Sequence, residues 1–258
     1  MAKLEAQGIS MLFHGRGREV EALKELNLKV PEGGFVSLVG PSGCGKSTFL
    51  RIVTGLLQPN SGTVKIDGKE VTGPGSICGL VFQQDNLLPW RTVVENVAFG
   101  LQIQNVGASQ RNTMAQTFIE MVGLIGFENS YPHELSGGMR QRVNLARALA
   151  IDPAVLLMDE PFAALDAQTR EIMQLELLRI WQKSKKTVLF VTHQIDEAIF
   201  LSDQVIVLGA RPGAVRDVVE VRLPRPRSLE TKRTIDFLGY ADRIWKQLEG
   251  DVKRQVGR

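Results

Sequence analysis

Residues 35–57 of the 258-residue chain read FVSLVGPSGCGKSTFLRIVTGLL. The stretch begins with a compact apolar run over 35–39, which predicts a buried strand. A glycine-rich turn follows over 40–48, with the pattern Gly, four residues, Gly, Lys, Ser. The residues after the turn predict a helix over 48–57. A strand, a glycine-rich turn and a helix in this order form the context in which such a turn holds phosphate groups.

Every residue of this turn is therefore a candidate for nucleotide binding. Backbone N–H groups in a tight glycine-rich loop, followed by the positive end of a helix, can bind the negative charges of ATP. The Lys46 ammonium can reach the β- and γ-phosphates, and the Ser47 hydroxyl can ligate Mg²⁺. The candidate residues are Gly40, Pro41, Ser42, Gly43, Cys44, Gly45, Lys46, Ser47 and Thr48.

Composition restricts the class of protein. Hydrophobic residues make up 43% of the chain and charged residues 23%, as in ordinary globular proteins. The net charge of +3 is too small to indicate a nucleic-acid-binding face. Cys44 and Cys78 lack the spacing of metal ligands, so we expect two free thiols in a reducing compartment. No apolar run approaches the roughly 18 residues needed to cross a bilayer, and the sequence starts with no signal-peptide pattern. We therefore expect any membrane role to come through another chain.

The rest of the chain predicts an α/β fold with two additions. Alternating apolar residues over 1–35 indicate half-buried, antiparallel strands. Apolar residues at helical spacing indicate a helical subdomain inserted at about 90–150. Compact apolar runs at 155–158 and 188–191 are typical of parallel strands covered by helices on both faces.

The C-terminal region has a pattern of its own. Beyond Pro226, apolar residues fall three or four apart and predict an amphipathic helix packed on the main body. A helix that binds a partner or a membrane surface is the alternative. We expect one main domain over 1–220 and a C-terminal helical extension over 221–258.

Acidic residues and a histidine follow the two late apolar runs. A carboxylate at Asp159 can hold Mg²⁺ through water, and Glu160 is placed to take a proton from the attacking water. The alternative is a pair of acids that cap a strand before Pro161. His193 follows the run at 188–191, at the end of a strand where open α/β sheets bind ligands. It is a candidate for contact with the γ-phosphate.

A second segment of small residues, Leu135-Ser136-Gly137-Gly138, precedes a helix predicted over 140–150. Small residues at a helix start leave N–H groups for a phosphate. The turn at 40–48 already supplies one phosphate site. The second segment is therefore predicted to act on the nucleotide of another molecule. By itself, Ser-Gly-Gly is also a common loop.

Together these residues resemble the ATP-binding subunit of an ATP-binding-cassette (ABC) transporter over about residues 5–220. The resemblance implies a P-loop NTPase fold, with a mixed or parallel central sheet flanked by helices, an N-terminal antiparallel β subdomain and an inserted helical subdomain. It also implies a head-to-tail homodimer that binds two ATP molecules. Each ATP would lie between the turn at 40–48 of one subunit and Ser136, Gly137 and Gly138 of the other.

The same resemblance assigns roles to individual residues. Glu160 would be the catalytic base, His193 would hold the γ-phosphate, and Gln83 would couple Mg²⁺ and water to the membrane partner. Asp166 would lie in a loop that links the two nucleotide sites. Phe13 matches an aromatic residue that stacks on adenine, although a buried core phenylalanine is the alternative.

The chain also departs from the family pattern at three positions. Phe13 stands where Tyr is usual, Met139 replaces a Gln, and Ala163 stands where Ser is frequent. None of these changes removes a group with a predicted catalytic role.

The stretch from 81 to 102 and the turn at 69–75 resemble the importer branch for nitrate, sulfonate and taurine. This resemblance implies an integral membrane permease, an external solute-binding protein, and a peripheral position on the cytoplasmic face of the cell membrane. Leu88, Pro89 and Trp90 would lie near the groove that receives a permease helix. The alternative is a soluble cassette ATPase that acts on nucleic acid or ribosomes, which the single cassette and the lack of a long heptad run disfavour. A nucleotide-gated scaffold with little hydrolysis is a third hypothesis, and the intact Glu160 argues against it.

Overall fold

The computed structural model describes residues 2–15 and 18–256, which form two compact units. The chain up to Gly75 and the chain from Lys186 onward form one unit, here called the discontinuous unit. Residues Ser76–Lys185 form the other, here called the central unit. In the described part of the chain, no helix combines the length and the apolar character required to cross a membrane.

The two units are built from the following strands and helices. In chain order the strands are β1 (Ala2–Gly15), β2 (Arg18–Pro31), β3 (Phe35–Val39), β4 (Ser61–Ile66), β5 (Lys69–Glu70), β6 (Cys78–Val81), β7 (Val155–Asp159), β8 (Thr187–Thr192), β9 (Gln204–Leu208) and β10 (Val215–Glu220). The helices are α1 (Lys46–Val53), α2 (Val93–Val97), α3 (Phe99–Ile103), α4 (Ala108–Met121), α5 (Gly137–Ala150), α6 (Ala167–Ser184), α7 (Ile195–Leu201) and α8 (Ile235–Val256). Short 3-10 turns lie at Pro132–Glu134 and Leu229–Arg233.

The N-terminal part of the discontinuous unit is an antiparallel sheet with the order β2-β1-β4-β5. Along β1, buried Leu4, Ala6 and Ile9 alternate in part with more exposed residues. This alternation buries one face of the sheet and leaves the other near solvent. The predicted antiparallel strands at the start of the chain are therefore confirmed.

The second sheet of the discontinuous unit places β3 between β8 and β9, and both neighbours run parallel to it. β10 pairs with β9 in the antiparallel direction, so the sheet is mixed. Every residue of β3 and β8 is buried, as expected for parallel strands covered on both faces. The rings of Phe35 and Phe190 lie 6.0 Å apart between neighbouring strands. The glycine-rich turn therefore starts at the carboxyl end of an interior strand.

Helix α8 packs against α7 and β10 in the same unit. Phe237, Ile244 and Leu248 are buried on its inner face, whereas Leu238 and Trp245 are exposed on the other side. The apolar spacing of the sequence thus corresponds to one long helix with a buried stripe.

The central unit combines the parallel pair β6 and β7 with helices α2 to α6. Helix α5 approaches β6 closely, because a Cβ atom at Gly79 would lie 2.6 Å from the Ala148 carbonyl oxygen. Fully buried Asn96 organises the segment before α2: its side-chain amide donates to the carbonyls of Leu88, Arg91 and Thr92. Its oxygen accepts from the Leu88 N–H at 2.8 Å. One buried amide therefore fixes the chain on both sides of Trp90.

Candidate nucleotide-binding and hydrolysis site

The glycine-rich turn joins β3 to α1 with a backbone that only glycine adopts easily. Gly43 has φ 75° and Gly45 has φ 102°, both in the left-handed region. Gly45 is also the N-cap of α1, so no side chain of the capping residue occupies the helix N-terminus. The first N–H groups of α1 thus face a position suited to an anion.

The turn is held closely against the rest of its unit. A Cβ atom at Gly45 would lie 2.6 Å from the carbonyl oxygen of Ala22, and one at Gly40 would lie 3.0 Å from that of Leu208. Any larger side chain at these two positions would displace the backbone. Close contacts with the backbone of the same unit therefore fix the position of the turn.

Lys46 lies over this turn. Its side chain is buried, and Nζ donates to the carbonyl oxygens of Gly40 at 2.8 Å and Pro41 at 3.1 Å. Ser42 and Ser47 are exposed, and Thr48 is half-buried. The turn therefore combines a held ammonium, exposed hydroxyls and glycine-specific backbone, which together fit a polyphosphate.

His193 lies at the same end of the sheet as the turn. Val39, the last residue of β3, pairs with Thr192, the last residue of β8. The Thr192 hydroxyl donates to Glu197 at 2.6 Å and accepts from the Gln194 N–H at 3.0 Å, which holds the chain on both sides of exposed His193. The structure thus brings the glycine-rich turn and His193 to the ends of adjacent parallel strands.

Phe13 lies on β1 of the discontinuous unit, opposite Val20 of β2. Its side chain is 39% exposed, so the alternative of a buried core phenylalanine is wrong. Contact with adenine stays a prediction.

Asp159 and Glu160 lie at the end of β7 in the central unit. Asp159 is the last residue of the strand, and both side chains are half-buried. Glu160 has φ 47°, a left-handed conformation that is uncommon for glutamate. Such strained residues cluster at functional sites. Arg170 holds the chain that follows, because its guanidinium donates to the carbonyls of Phe162 and Leu165.

Gln83 follows β6 and is exposed. Side chains of α5 hold the backbone around it: Gln141 donates to the Gln83 carbonyl at 3.2 Å, and Arg140 forms an ion pair with Asp85 at 2.8 Å. A cavity of about 370 Å³ adjoins this segment. It is lined by Gln83, Gln84, Asp85, Asn86, Gly137, Arg140, Gln141, Ala164 and Leu165. Gln83 and Gly137, which belongs to the segment of small residues at 135–138, therefore line the same cavity within the central unit.

The signature segment, residues 135–138, begins α5. Exposed Ser136 is the N-cap of the helix, and its hydroxyl accepts from the Met139 N–H at 3.3 Å. Asp166 caps α6 in the same way, because its carboxylate accepts from the Thr169 N–H at 3.0 Å. That backbone hydrogen bond lowers the pKa of the Asp166 carboxyl below its ordinary value.

Neither capping role was predicted from the sequence. The available signal was a Ser or an Asp placed just before a helical pattern, where its side chain can accept from the N–H three residues later. Arg140 and Arg147, which hold the segment after β6, were not predicted either. Their contacts span more than 50 residues, and no local pattern marks them.

Both cysteines are free, as predicted, and both are buried. Burial raises the pKa of the Cys44 thiol and raises that of Cys78 to about 12. The thiol inside the glycine-rich turn is therefore protonated near neutral pH and contributes no charge to the site.

Comparison with known proteins identifies the family. Residues 23–163 match the family model described as ABC transporter. An uncharacterised ABC transporter ATP-binding protein of Methanocaldococcus jannaschii is 53% identical over 98% of this chain and 94% of its own length. The nitrate import ATP-binding protein of Synechocystis is 46% identical over 96% of this chain and 95% of its own length.

A solved structure gives the same result for the fold. It is the dimeric structure of an ATP-binding cassette in a post-hydrolysis state, bound to ADP and phosphate. It superposes with a TM-score of 0.74 at 35% identity and covers 86% of this chain and 100% of its own. This likeness confirms the predicted P-loop NTPase fold. The chain belongs to the ABC transporter family, as an ATP-binding subunit that hydrolyses ATP.

Proposed function

We propose that this chain hydrolyses ATP to drive the import of a small anion through a separate membrane permease. The observation that carries the proposal is the turn at 40–48, whose backbone requires glycine at Gly43 and Gly45 and ends at the open N-terminus of α1. Such a turn binds phosphate groups through backbone N–H groups and the helix dipole.

Lys46 supplies the charge at this site and orients the β- and γ-phosphates. The buried ammonium is already held by two carbonyl oxygens of the turn, so it is in position before the nucleotide binds. His193 contacts the γ-phosphate from the end of β8, beside the turn. Phe13 offers an exposed ring for stacking on adenine.

The residues also fit a magnesium ion bound together with the nucleotide. The family resemblance assigns Ser47, Gln83 and Asp159 to this ion, since hydroxyl, amide and carboxylate oxygens are ligands that Mg²⁺ accepts. When bound, Mg²⁺ neutralises negative charge on the phosphate oxygens.

Glu160 is the general base of hydrolysis. Its carboxylate takes a proton from a water molecule whose oxygen forms a bond to the γ-phosphorus, while the bond to the leaving ADP oxygen breaks. The Gln83 side chain orients this water. The left-handed backbone at Glu160 supports this role, because strained residues of this kind cluster at functional sites.

Two copies of the chain act together. Ser136, Gly137 and Gly138 present the N-terminus of α5 to the nucleotide of the partner copy, and Asp166 begins α6 in the segment that links the two sites. The related cassette that is dimeric with ADP and phosphate supports this assembly. Hydrolysis then depends on the dimer, because each nucleotide site is completed only by the signature segment of the other copy.

The central unit carries a groove for the permease. Trp90 is 72% exposed at a cavity of about 690 Å³ that Arg91, Gln102 and Arg111 also line. An exposed aromatic residue beside such a groove is typical of a surface that a partner covers. The solute belongs to the class of nitrate, sulfonate and taurine, which the nitrate-import relative supports. A solute-binding protein delivers the solute from outside, and the chain lies on the cytoplasmic face of the membrane.

We assign the ATPase domain to residues 1–220, with the helical subdomain at about 90–150, and the C-terminal extension to 221–258. Helices α2 to α5 fall within the range given to the helical subdomain. Helix α8 makes up most of the extension.

The variant Glu160→Gln tests the proposed mechanism. We expect ATP hydrolysis to fall by about 10²- to 10⁴-fold, because the amide accepts no proton from water. Affinity for ATP is expected to stay near that of the wild type, since the phosphate-binding turn is unchanged. Phosphate release and nucleotide titration measure the two quantities separately.

Glu120→Gln is the matched control, because Glu120 is an exposed residue of α4 in the same unit. This variant is expected to hydrolyse ATP at the wild-type rate. If Glu160→Gln hydrolyses ATP as fast as Glu120→Gln, the role given to Glu160 is wrong.

A further inference from the structure

The turn between β9 and β10, residues 209–214, contacts the phosphate-binding turn directly. The Arg211 guanidinium donates from Nε at 3.3 Å and from Nη2 at 3.2 Å to the carbonyl oxygen of Gly43. Gly213 lies so close that a Cβ atom there would be 2.1 Å from the Cys44 carbonyl oxygen. Two successive peptide groups of the phosphate-binding turn therefore meet the 209–214 turn.

The same 209–214 turn is attached to the C-terminal helix. The Asp251 side chain of α8 is 2% exposed, and its carboxylate accepts from the Ala210 N–H at 2.8 Å. It also forms ion pairs with Arg216 of β10 at 2.7 Å and with Arg254 at 2.9 Å. A buried carboxylate with three partners is a strong local constraint, because removal of its charge leaves the partners without a counter-charge.

These links are polar and surround a cavity of about 460 Å³. It is lined by Ser42 and Gly43 of the phosphate-binding turn and by Arg216, Asp251 and Arg254. Apart from Ala210, the residues that line it are glycine or polar, so the named hydrogen bonds and ion pairs connect α8 with the turns around this cavity.

The effect on the nucleotide site follows from peptide geometry. The bond from Arg211 fixes the direction of the Gly43 carbonyl, and because the peptide is planar it also fixes the Cys44 N–H, which donates to the Pro41 carbonyl at 3.3 Å. That hydrogen bond closes the turn, and phosphate binding depends on the directions of the remaining N–H groups of the turn. The guanidinium therefore acts on nucleotide binding without touching the nucleotide.

We infer that Asp251 and Arg211 are positioning residues for nucleotide binding, through which α8 sets the geometry of the phosphate-binding turn. This inference rests on the proposed nucleotide site at 40–48. The C-terminal helix α8 thereby helps to hold the phosphate-binding turn in place. A change in the packing of α8 therefore changes the affinity for ATP.

The test compares variants of the full chain in ATP titrations and steady-state hydrolysis. Asp251→Asn keeps the shape and an acceptor oxygen but removes the charge, and Arg211→Ala removes the bonds to Gly43. The third variant carries both changes. Asp242→Asn is the matched control: it makes the same substitution on the same helix, at an exposed ion pair with Lys246.

We expect each single change to raise Kd and KM for ATP by about three- to tenfold, with kcat within about twofold of the wild type. The double variant is expected to resemble Arg211→Ala alone, because both residues act through the same contact. The control should bind ATP as the wild type does. Arg211→Lys, which keeps a donor for the Gly43 carbonyl, should recover part of the affinity.

Three outcomes would overturn the inference: ATP affinities of Asp251→Asn and Arg211→Ala equal to that of the control, additive effects in the double variant, or a fall in kcat without a change in KM. If Asp251→Asn fails to fold, Arg211→Ala decides alone, because Arg211 is exposed. Lys46→Ala in the same titration separates the two proposals. Lost binding in Lys46→Ala with normal binding in Arg211→Ala refutes only this inference, whereas normal binding in Lys46→Ala refutes the nucleotide site.

Discussion

Within residues 2–15 and 18–256, the phosphate-binding turn and the signature segment are both glycine-rich helix starts, and they are built differently. The phosphate-binding turn reaches α1 through Gly45, a left-handed N-cap with φ 102°. The signature segment reaches α5 through Ser136, an extended N-cap whose hydroxyl accepts from the Met139 N–H. The first start is a backbone shape that requires glycine, whereas the second is an ordinary capped helix.

The space around the glycines differs in the same way. A Cβ atom at Gly45 would lie 2.6 Å from the Ala22 carbonyl oxygen, but one at Gly137 would lie 3.6 Å from Leu165, an ordinary contact. The described part of this chain therefore requires glycine at Gly45 and tolerates a methyl group at Gly137. If Gly137 matters for function, the reason lies in another molecule, which agrees with the proposed contact to the partner's nucleotide.

The largest effect is expected from Gly45→Ala. The left-handed backbone and the close approach to Ala22 together predict a loss of about 2–4 kcal/mol in the free energy of unfolding. Nucleotide binding is expected to be lost as well, because relief of the clash moves the turn. Denaturant titration and ATP titration measure these effects. If Gly45→Ala has the free energy of unfolding and the ATP affinity of the wild type, Gly45 is not required by the backbone and does not differ from Gly137 in this respect.

A smaller and purely functional effect is expected from the same substitution at Gly137. Gly137→Ala should change the free energy of unfolding by less than about 0.5 kcal/mol. ATP hydrolysis at dimer-forming concentrations should fall about tenfold, because a methyl group displaces the partner's phosphates from the helix N-terminus.

Gly107→Ala is the control for that variant. Gly107 is the N-cap of α4 in the same unit, and a Cβ atom there would meet no neighbour within 4 Å. It should leave both stability and hydrolysis unchanged. Equal hydrolysis by Gly137→Ala and Gly107→Ala would mean that the signature segment faces no nucleotide.

A further effect depends on pH and concerns Asp251, which supports the phosphate-binding turn through the 209–214 turn. Burial opposes the charge of Asp251, but the bonds from Ala210 and Arg216 and the charge of Arg254 outweigh it and lower the pKa of this carboxyl. Its stabilising contribution is therefore present above the ordinary aspartate pKa and is lost as pH falls through the lower, folded-state value.

The wild type and Asp251→Asn provide the measurement. Their free energies of unfolding should differ near pH 6 and converge as the solution is acidified below about pH 4. Asp242→Asn serves as the reference for a charge that is exposed. If the free energies of unfolding of Asp251→Asn and the wild type differ by the same amount at every pH down to 2, the stabilising role given to the Asp251 charge is wrong.

Local patterns in the sequence predicted much of the fold and the principal site. The strand at 35–39, the antiparallel N-terminal strands and the glycine-rich turn were all predicted, and α5 ends at its predicted residue and begins within a few residues of its predicted start. The helix predicted over 48–57 ends at Val53. Gly55 takes a left-handed conformation and lies against Gly73, so the helix stops before it.

The contacts that support the site could not be predicted in this way. Asp251 lies 41 residues from Ala210 in sequence, and Arg211 lies 168 residues from Gly43. Neither belongs to a motif, and an aspartate in an amphipathic helix is ordinarily a surface residue. Only the packing of α8 on its unit reveals that this carboxylate is buried.

Asn96 has a consequence for assembly. Its hydrogen bonds to Leu88, Arg91 and Thr92 hold the exposed edge around Trp90 in a single conformation within one chain. A docking partner therefore meets an edge that is already ordered, and little further chain entropy is lost on association.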